Sequence, residues 1–381
     1  MKRLVLLGLF LAGCAARGDF TLAPSATGAG QPEEIFVATS RTEGPDGFGF
    51  ERSETARFLR YDVSIPPERE LGELNWPPRT RKPDAVRDFL LLDEVRFASS
   101  EDFRQSLQGE LRKRGQTDVV VYVHGFNNTM AEGVYRVAQM HHDLAVPGVA
   151  VHYAWPSRGS PLGYVHDRES VLFARSGFEA LLNEVAAAGA DDIVIVAHSM
   201  GAFVTMETLR QMVLRDGTRA LDHIAGVVLI APDLDVDVFR AQAAEIGDLP
   251  QPFVIFGSSR DRVLGVSARI AGSKGRLGNL PSVEVVADLP VTYLDTAAYN
   301  VGVGHLNLGE NPALLKLFGG LIGIDQAFRE DARERVGLLP GLILTVRSAT
   351  EVILTPSSVA PDACRDRQAA PKDCHGPITP E

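Results

Sequence analysis

Ser199 is the residue best placed to do chemistry. It stands in Ala197-His198-Ser199-Met200-Gly201, at the end of the apolar run Ile193-Val194-Ile195-Val196. That run of β-branched residues reads as a strand buried on both faces, and Ala202, Met206, Leu209 and Val213 then recur at helical spacing. A serine between a strand and a helix occupies a cramped turn whose neighbours must be small. This accounts for Gly201 and makes Ala197 acceptable. The helix N-terminus behind the serine favours a developing negative charge. A serine hydroxyl is a weak nucleophile at its own pKa, so attack on a carbonyl needs a base, a group that orients the base, and donors for the oxyanion. The competing reading is an ordinary serine N-cap.

An α/β architecture must position this residue. Glu34 to Thr39, Ala56 to Ile65 and Asp88 to Phe97 have strand-like content, with turns at Pro66-Pro67 and Trp76-Pro77-Pro78. They would lead the sheet, antiparallel at its edge in one reading. Alternation follows. Asp118 to Val123 is a strand, Met130 to Leu144 a helix and Val149 to Ala154 a strand. Gly159 to His166 is a loop before a long helix carrying Val171, Ala174, Phe178, Leu181 and Val185. After the serine's strand come Ala225 to Ala231, Phe253 to Phe256 and, as the last strand, Val283 to Ala287. The pattern predicts an α/β fold with a mostly parallel sheet covered by helices on both faces. In such sheets chemistry lies beyond the carboxyl ends of strands, where His124, Ser199, Asp233 and Asp261 all fall. The stretch from Trp155 to His166 reads equally as a small lid or as plain surface.

Ser199, Asp261 and His305 stand in the chain order of α/β-hydrolases, and the sequence resembles that fold. The resemblance makes Ser199 the nucleophile and His305, in a glycine-rich loop, the base. Asp261 would orient it. Asp233 stays open as the alternative acid, since some members of the fold take it from the earlier strand; a helix cap is the ordinary role for either aspartate. His124-Gly125-Phe126 resembles the fold's oxyanion element, which assigns the oxyanion donors to the main-chain N–H groups of Phe126 and Met200. More specifically, Phe36-Val37-Ala38-Thr39-Ser40-Arg41, Ser64-Ile65-Pro66-Pro67, Val123-His124-Gly125-Phe126-Asn127, Trp155-Pro156-Ser157, Ala231-Pro232-Asp233 and Ser258-Ser259-Arg260-Asp261 occur in order around the serine motif. Together they resemble a bacterial α/β-hydrolase family of unknown function, over about Glu34 to Asn311. The resemblance implies an esterase- or lipase-like serine hydrolase, acting on an ester or thioester through an acyl-serine. A silent envelope binding or scaffold protein and a serine peptidase are the rivals.

The ends of the chain add expectations of place. Lys2 and Arg3 precede an apolar run too short to span a membrane, ending in Leu11-Ala12-Gly13-Cys14. This resembles a bacterial lipoprotein signal over 1–13, with Cys14 lipidated and the domain held to the envelope facing the periplasm. Ala15, in place of Asp, favours the outer membrane. A flexible tether would run over 14–32, the hydrolase domain over 33–325, and a C-terminal extension over 326–381. Export permits a disulfide between Cys364 and Cys374. The formal net charge of −11 disfavours nucleic acid as a partner. The expected partners are a small-molecule or lipid ester substrate and, through Cys14, the membrane. Neither a P-loop nor a zinc HExxH pattern occurs. His141-His142-Asp143 does not suggest a metal, because adjacent histidines on a helix point apart. No cofactor and no metal are predicted.

Overall fold

The computed structural model describes residues 18–297, except 79 and 274, together with 309, 312, 315, 341–346 and 349–354. β1 (Gln31–Gly44), β2 (Gly47–Ile65) and β3 (Leu90–Arg96) form an antiparallel meander at one sheet edge. β1 also pairs in parallel with β5 (Val149–Ala154). From there the parallel sheet runs through β4 (Asp118–Val123), β6 (Asp192–His198), β7 (Ile224–Ile230), β8 (Phe253–Gly257) and β9 (Thr292–Asp295). A hairpin of β10 (Gly341–Val346) and β11 (Ala349–Leu354) extends the other edge, with β11 parallel to β9. The order is β10-β11-β9-β8-β7-β6-β4-β5-β1-β2-β3, which makes β6 the middle of eleven strands among the described residues. The serine turn therefore leaves from the centre of the sheet.

The helices among the described residues are α1 (Ser100–Arg114), α2 (Met130–Asp143), α3 (Tyr164–Ala187), α4 (Gly201–Asp216), α5 (Val236–Ile246) and α6 (Arg262–Ile270). One core layer packs Phe103 of α1, Phe178 of α3, Met206 of α4 and Phe239 of α5 against Val121, Ile195 and Val227 of the sheet. The opposite layer sets Val134 and Ala138 of α2 on Val37, Tyr122 and Ala150. This two-sided cover satisfies a parallel sheet, whose strands cannot leave a face in water. β6 itself is buried more on one side. Ile193, Ile195 and Ala197 are wholly buried toward α3 and α4, whereas Val194 and Val196 are half-buried. The expected burial on both faces is thus full on one only.

Further details differ from the sequence reading. Val283 to Ala287 is not a strand: Ser282 caps a 3₁₀ turn, Val283–Val286, that buries Val283 and Val286. Apolar residues three apart share a face of such a turn, and the last parallel strand is instead β9. The stretch expected as a tether is built into the domain from Gly18 onward. Phe20 stacks on Tyr61 at 4.7 Å, and Thr21 and Ala23 exchange backbone hydrogen bonds with Leu91. α1 was not expected, although Ser99 and Asp102 form the reciprocal capping box that opens it. Finally, the expected Gly159 to His166 loop is mostly ordered: a 3₁₀ turn spans Pro161–Gly163 and α3 begins at Tyr164. The segment expected as an extension also contributes β10 and β11 to the sheet.

Candidate active site

Ser199 joins β6 to α4 with a φ of 52°, a left-handed conformation that a non-glycine residue adopts only under constraint. The constraint is visible. Its N–H donates to the Ile230 carbonyl at 2.8 Å, and its own carbonyl accepts from Ala202 and Asp233, both at 3.1 Å. Asn127 (φ 61°) and Ala231 (φ 44°) flank it at the same sheet edge, so three of the four non-glycine residues with positive φ among the described residues gather here. Two glycines let the backbones meet. A Cβ on Gly201 would lie 2.5 Å from the carbonyl oxygens of Val123 and His124; one on Gly125 would lie 2.9 Å from Ser199 Cβ. Any side chain at either position would force the turn after β4 away from the serine. That turn carries Phe126, and Met200 follows Ser199 fully buried.

The turn after β4 is held by a polar lattice that the sequence reading did not identify. Arg41, beyond the end of β1's pairing with β5, is almost fully buried. Its guanidinium donates to the carbonyls of Gly49 (2.8 Å), Ser157 (2.9 Å) and Asn128 (2.9 Å). Burial lowers its pKa to about 10, opposed by the carboxylates of Asp167 and Glu132, so it stays a cation at neutral pH. Asp167, buried on α3, accepts from Ser157 Oγ at 2.6 Å and from the Arg158 N–H at 2.7 Å. Ser157 Oγ in turn accepts from the Asn128 N–H at 3.1 Å. Arg41 and Ser157 lay inside motifs quoted for the family resemblance, which was a usable signal. Asp167 had none.

His124 is a wall residue. Its ring stacks on Trp155 at 4.9 Å, and Trp155 Nε1 donates to the His124 carbonyl at 2.7 Å. Burial, with the Arg41 charge adding to it, holds the His124 imidazole well below its usual range. His152 behind it is lowered by burial to about 3. Both rings are therefore neutral at pH 7. Trp155, Pro156 and Ser157 are buried. The first half of the expected lid is therefore core, while Leu162 is 95% exposed.

The two aspartates differ. Parallel register puts Ile230 of β7 beside Phe256 of β8, so Asp233 and Asp261 follow strands that end level with β6. Asp233 is buried, with Oδ1 2.9 Å from Arg276 Nε and accepting from Ser267 Oγ at 2.7 Å. Arg276, itself wholly buried, also donates to Tyr164 Oη at 3.2 Å, and the Tyr164 ring packs edge-on against Phe126. Asp261 is 3% exposed and caps α6, accepting from the Leu264 N–H at 3.0 Å. The cap expected at Asp233 is provided instead by Asp235, which accepts from Asp237 and Val238. Arg276 was missed because no local pattern marks it.

His305, Cys14, Cys364 and Cys374 lie outside the described residues. Among the described residues no cluster of three His, Cys, Asp or Glu side chains forms a metal site. Adjacent His141 and His142 do nonetheless reach one partner: their Nδ1 atoms lie 3.0 and 3.5 Å from the two carboxylate oxygens of Glu33. The helix end, where α2 stops at Asp143, frees the rings to converge.

Solved structures with a similar chain trace include lipase B of Aspergillus fumigatus, at 13% identity and a TM-score of 0.39, covering 60% of this chain and 58% of that one. An esterase of Pyrococcus furiosus aligns at 10% identity and a TM-score of 0.37, over 83% of this chain and 95% of that one. A structure from a study of two fungal esterases of Rhizomucor miehei aligns at 10% identity and a TM-score of 0.35, over 80% of this chain and 88% of that one. The chain thus spans little more than half of the Aspergillus lipase. Comparison with curated proteins gives no match. The family model described as "Alpha/beta hydrolase of unknown function (DUF900)" matches residues 99–312, more than half of the sequence and all of β4 to β9. The chain has the α/β-hydrolase fold and belongs to this family of α/β-hydrolases of unknown function.

Proposed function

We propose that the protein is a serine ester hydrolase with Ser199 as nucleophile. The observation that carries the reading is the strained Ser199 backbone at the centre of the sheet, pressed against the Gly125 turn. Ser199 Oγ attacks the carbonyl carbon of an ester or thioester while His305 takes its proton. The N–H groups of Phe126 and Met200 stabilise the oxyanion. Collapse expels the alcohol or thiol, which receives the proton from His305, and water then releases the acid from the acyl-serine. Asp261 holds the His305 tautomer. Asp233 is the weaker alternative because its carboxylate already faces Arg276 and Ser267. Cys14 carries lipid and anchors the domain on the periplasmic side of the envelope, and Cys364 pairs with Cys374.

The test is Ser199→Ala assayed on p-nitrophenyl acetate. Loss of a triad nucleophile lowers kcat by roughly 10⁶ while the fold is retained. Equal hydrolysis by wild type and variant would refute the nucleophile. No hydrolysis by a folded wild type would favour the silent scaffold.

A further inference from the structure

Of the two N–H groups proposed to meet the oxyanion, that of Met200 belongs to the nucleophile's own turn, which three backbone hydrogen bonds at Ser199 fix. That of Phe126 lies on a separate turn after β4, so its direction must be set by other contacts. Asn127, the next residue, is left-handed at a φ of 61°. Asparagine tolerates this conformation better than most residues, yet the turn still depends on its neighbours to keep it. Asp167, in the first turn of α3 and wholly buried, is such a neighbour. Its Oδ2 accepts from the Asn127 N–H at 3.4 Å and from Ser157 Oγ at 2.6 Å, and Ser157 Oγ accepts from the Asn128 N–H at 3.1 Å. Its Oδ1 accepts from the Arg158 N–H at 2.7 Å and faces His166 Nδ1 at 3.2 Å. Arg41 takes the opposite poles of the same peptides, the carbonyls of Asn128 and Ser157, each at 2.9 Å. The anion thus holds the turn by its donors and the cation holds it by its acceptors. Tyr164, three residues before Asp167 on α3, sets its ring edge-on against Phe126.

From this we infer that Asp167 is a positioning residue: through Asn127 and Ser157 it aims the Phe126 N–H at the oxyanion. The inference rests on the hydrolase reading above. Only the φ and ψ of Phe126 separate its N–H from that of Asn127, so anchoring the second restricts the first. The contribution is geometric, because a carboxylate beside an oxyanion would repel it and the Arg41 charge offsets that repulsion. A misplacement of about 1 Å at such a donor costs about a hundredfold in rate, which is the scale on which the clamp acts.

The experiment uses the full-length protein, with rates on p-nitrophenyl acetate expressed per chain that a fluorophosphonate titrates, so that loss of folded protein drops out. In Asp167→Asn one oxygen remains for N–H groups that two oxygens shared. Its kcat should fall about tenfold to a hundredfold while KM stays within about twofold. Ser157→Ala cuts the link to Asn128 without changing charge and should lower kcat about threefold to tenfold. The second readout is inhibition by 2,2,2-trifluoroacetophenone. Ser199 Oγ adds to its ketone carbon, the Ser199 proton passes to His305, and the carbonyl oxygen becomes an alkoxide where the oxyanion would lie. In both variants its Ki should rise by the factor by which kcat/KM falls. A purely structural Asp167 would leave kcat and Ki per active chain unmoved, and that result in both variants overturns the inference, as does a rise in KM at constant kcat. If Asp167→Asn fails to fold, the same readings on Ser157→Ala decide. Should wild type cleave the ester and Ser199→Ala not, with both variants unimpaired, the positioning role alone falls. If a folded wild type neither takes the label nor cleaves the ester, both readings fall.

Discussion

The turns after β7 and β8 look alike in sequence, each a short apolar strand ending near an aspartate, yet the protein uses the two carboxylates differently. Asp233 is enclosed with a buried cation, Arg276, and a serine hydroxyl. Asp261 opens α6 and caps its first turn through the Leu264 N–H. A carboxylate locked against a buried guanidinium is a structural group, since removing one partner strands the other's charge. A carboxylate has two oxygens and about four acceptor sites, so capping a helix is compatible with accepting an imidazole N–H as well. The lesson is that strand-end position nominates an acid, and the surrounding charges decide between nominees.

The largest test of this contrast is Asp261→Asn, expected to lower kcat on p-nitrophenyl acetate by roughly 10⁴, as loss of a triad aspartate does elsewhere. Should the variant keep wild-type kcat, Asp261 is a cap and nothing more. Asp233→Asn should move activity by less than about tenfold but cost about 3–5 kcal/mol of stability, because Arg276 is left buried without its counter-charge. Denaturant midpoints would show it. A collapse of kcat in a stable Asp233→Asn protein would reverse the assignments.

Glu33 provides a carboxylate far from the sheet's carboxyl edge with which to calibrate both. Burial alone would raise its pKa, but hydrogen bonds and charge from His141 and His142 outweigh this and lower it from 4.5 to about 2. A depressed folded-state pKa stabilises the protein above the unfolded value, and that stability drains away as pH falls from about 4.5 through about 2. The full contribution is about 3 kcal/mol on linkage arithmetic, lost across that window. Glu33→Gln should flatten stability between pH 4.5 and 2, measured by thermal melts; an unchanged slope would remove Glu33 as a cause. The smallest effect belongs to Asp235→Ala, a pure cap removal costing about 1 kcal/mol with kcat intact. A drop in kcat there would show that the turn after β7 reaches the chemistry.

Much of this was legible from local pattern. The β-branched run before Ser199, the small residues around it and the apolar helix after it each constrain the same few bonds, so sequence and geometry agree. The aspartates were harder because what separates them lies 34 to 43 residues downstream of Asp233, at Ser267 and Arg276. Arg41 escaped for the same reason: its partners Asn128 and Ser157 meet it only once β1 pairs with β5. Val283 to Ala287 misled because a short apolar run reads as a strand, whereas the burial of Val283 and Val286, three apart, belongs to one face of a 3₁₀ turn. Phe20 and Thr21 sat in a stretch rich in small residues, and only their contacts with Tyr61 and Leu91 distinguish them from a linker.

The central claim is that Ser199 is the reactive nucleophile, and covalent labelling tests it without knowledge of the substrate. A fluorophosphonate incubated with the full-length protein should form one adduct per chain, located on Ser199 by peptide mass spectrometry and absent from Ser199→Ala. Labelling of another residue, or a folded wild-type protein that stays unlabelled, would contradict the account.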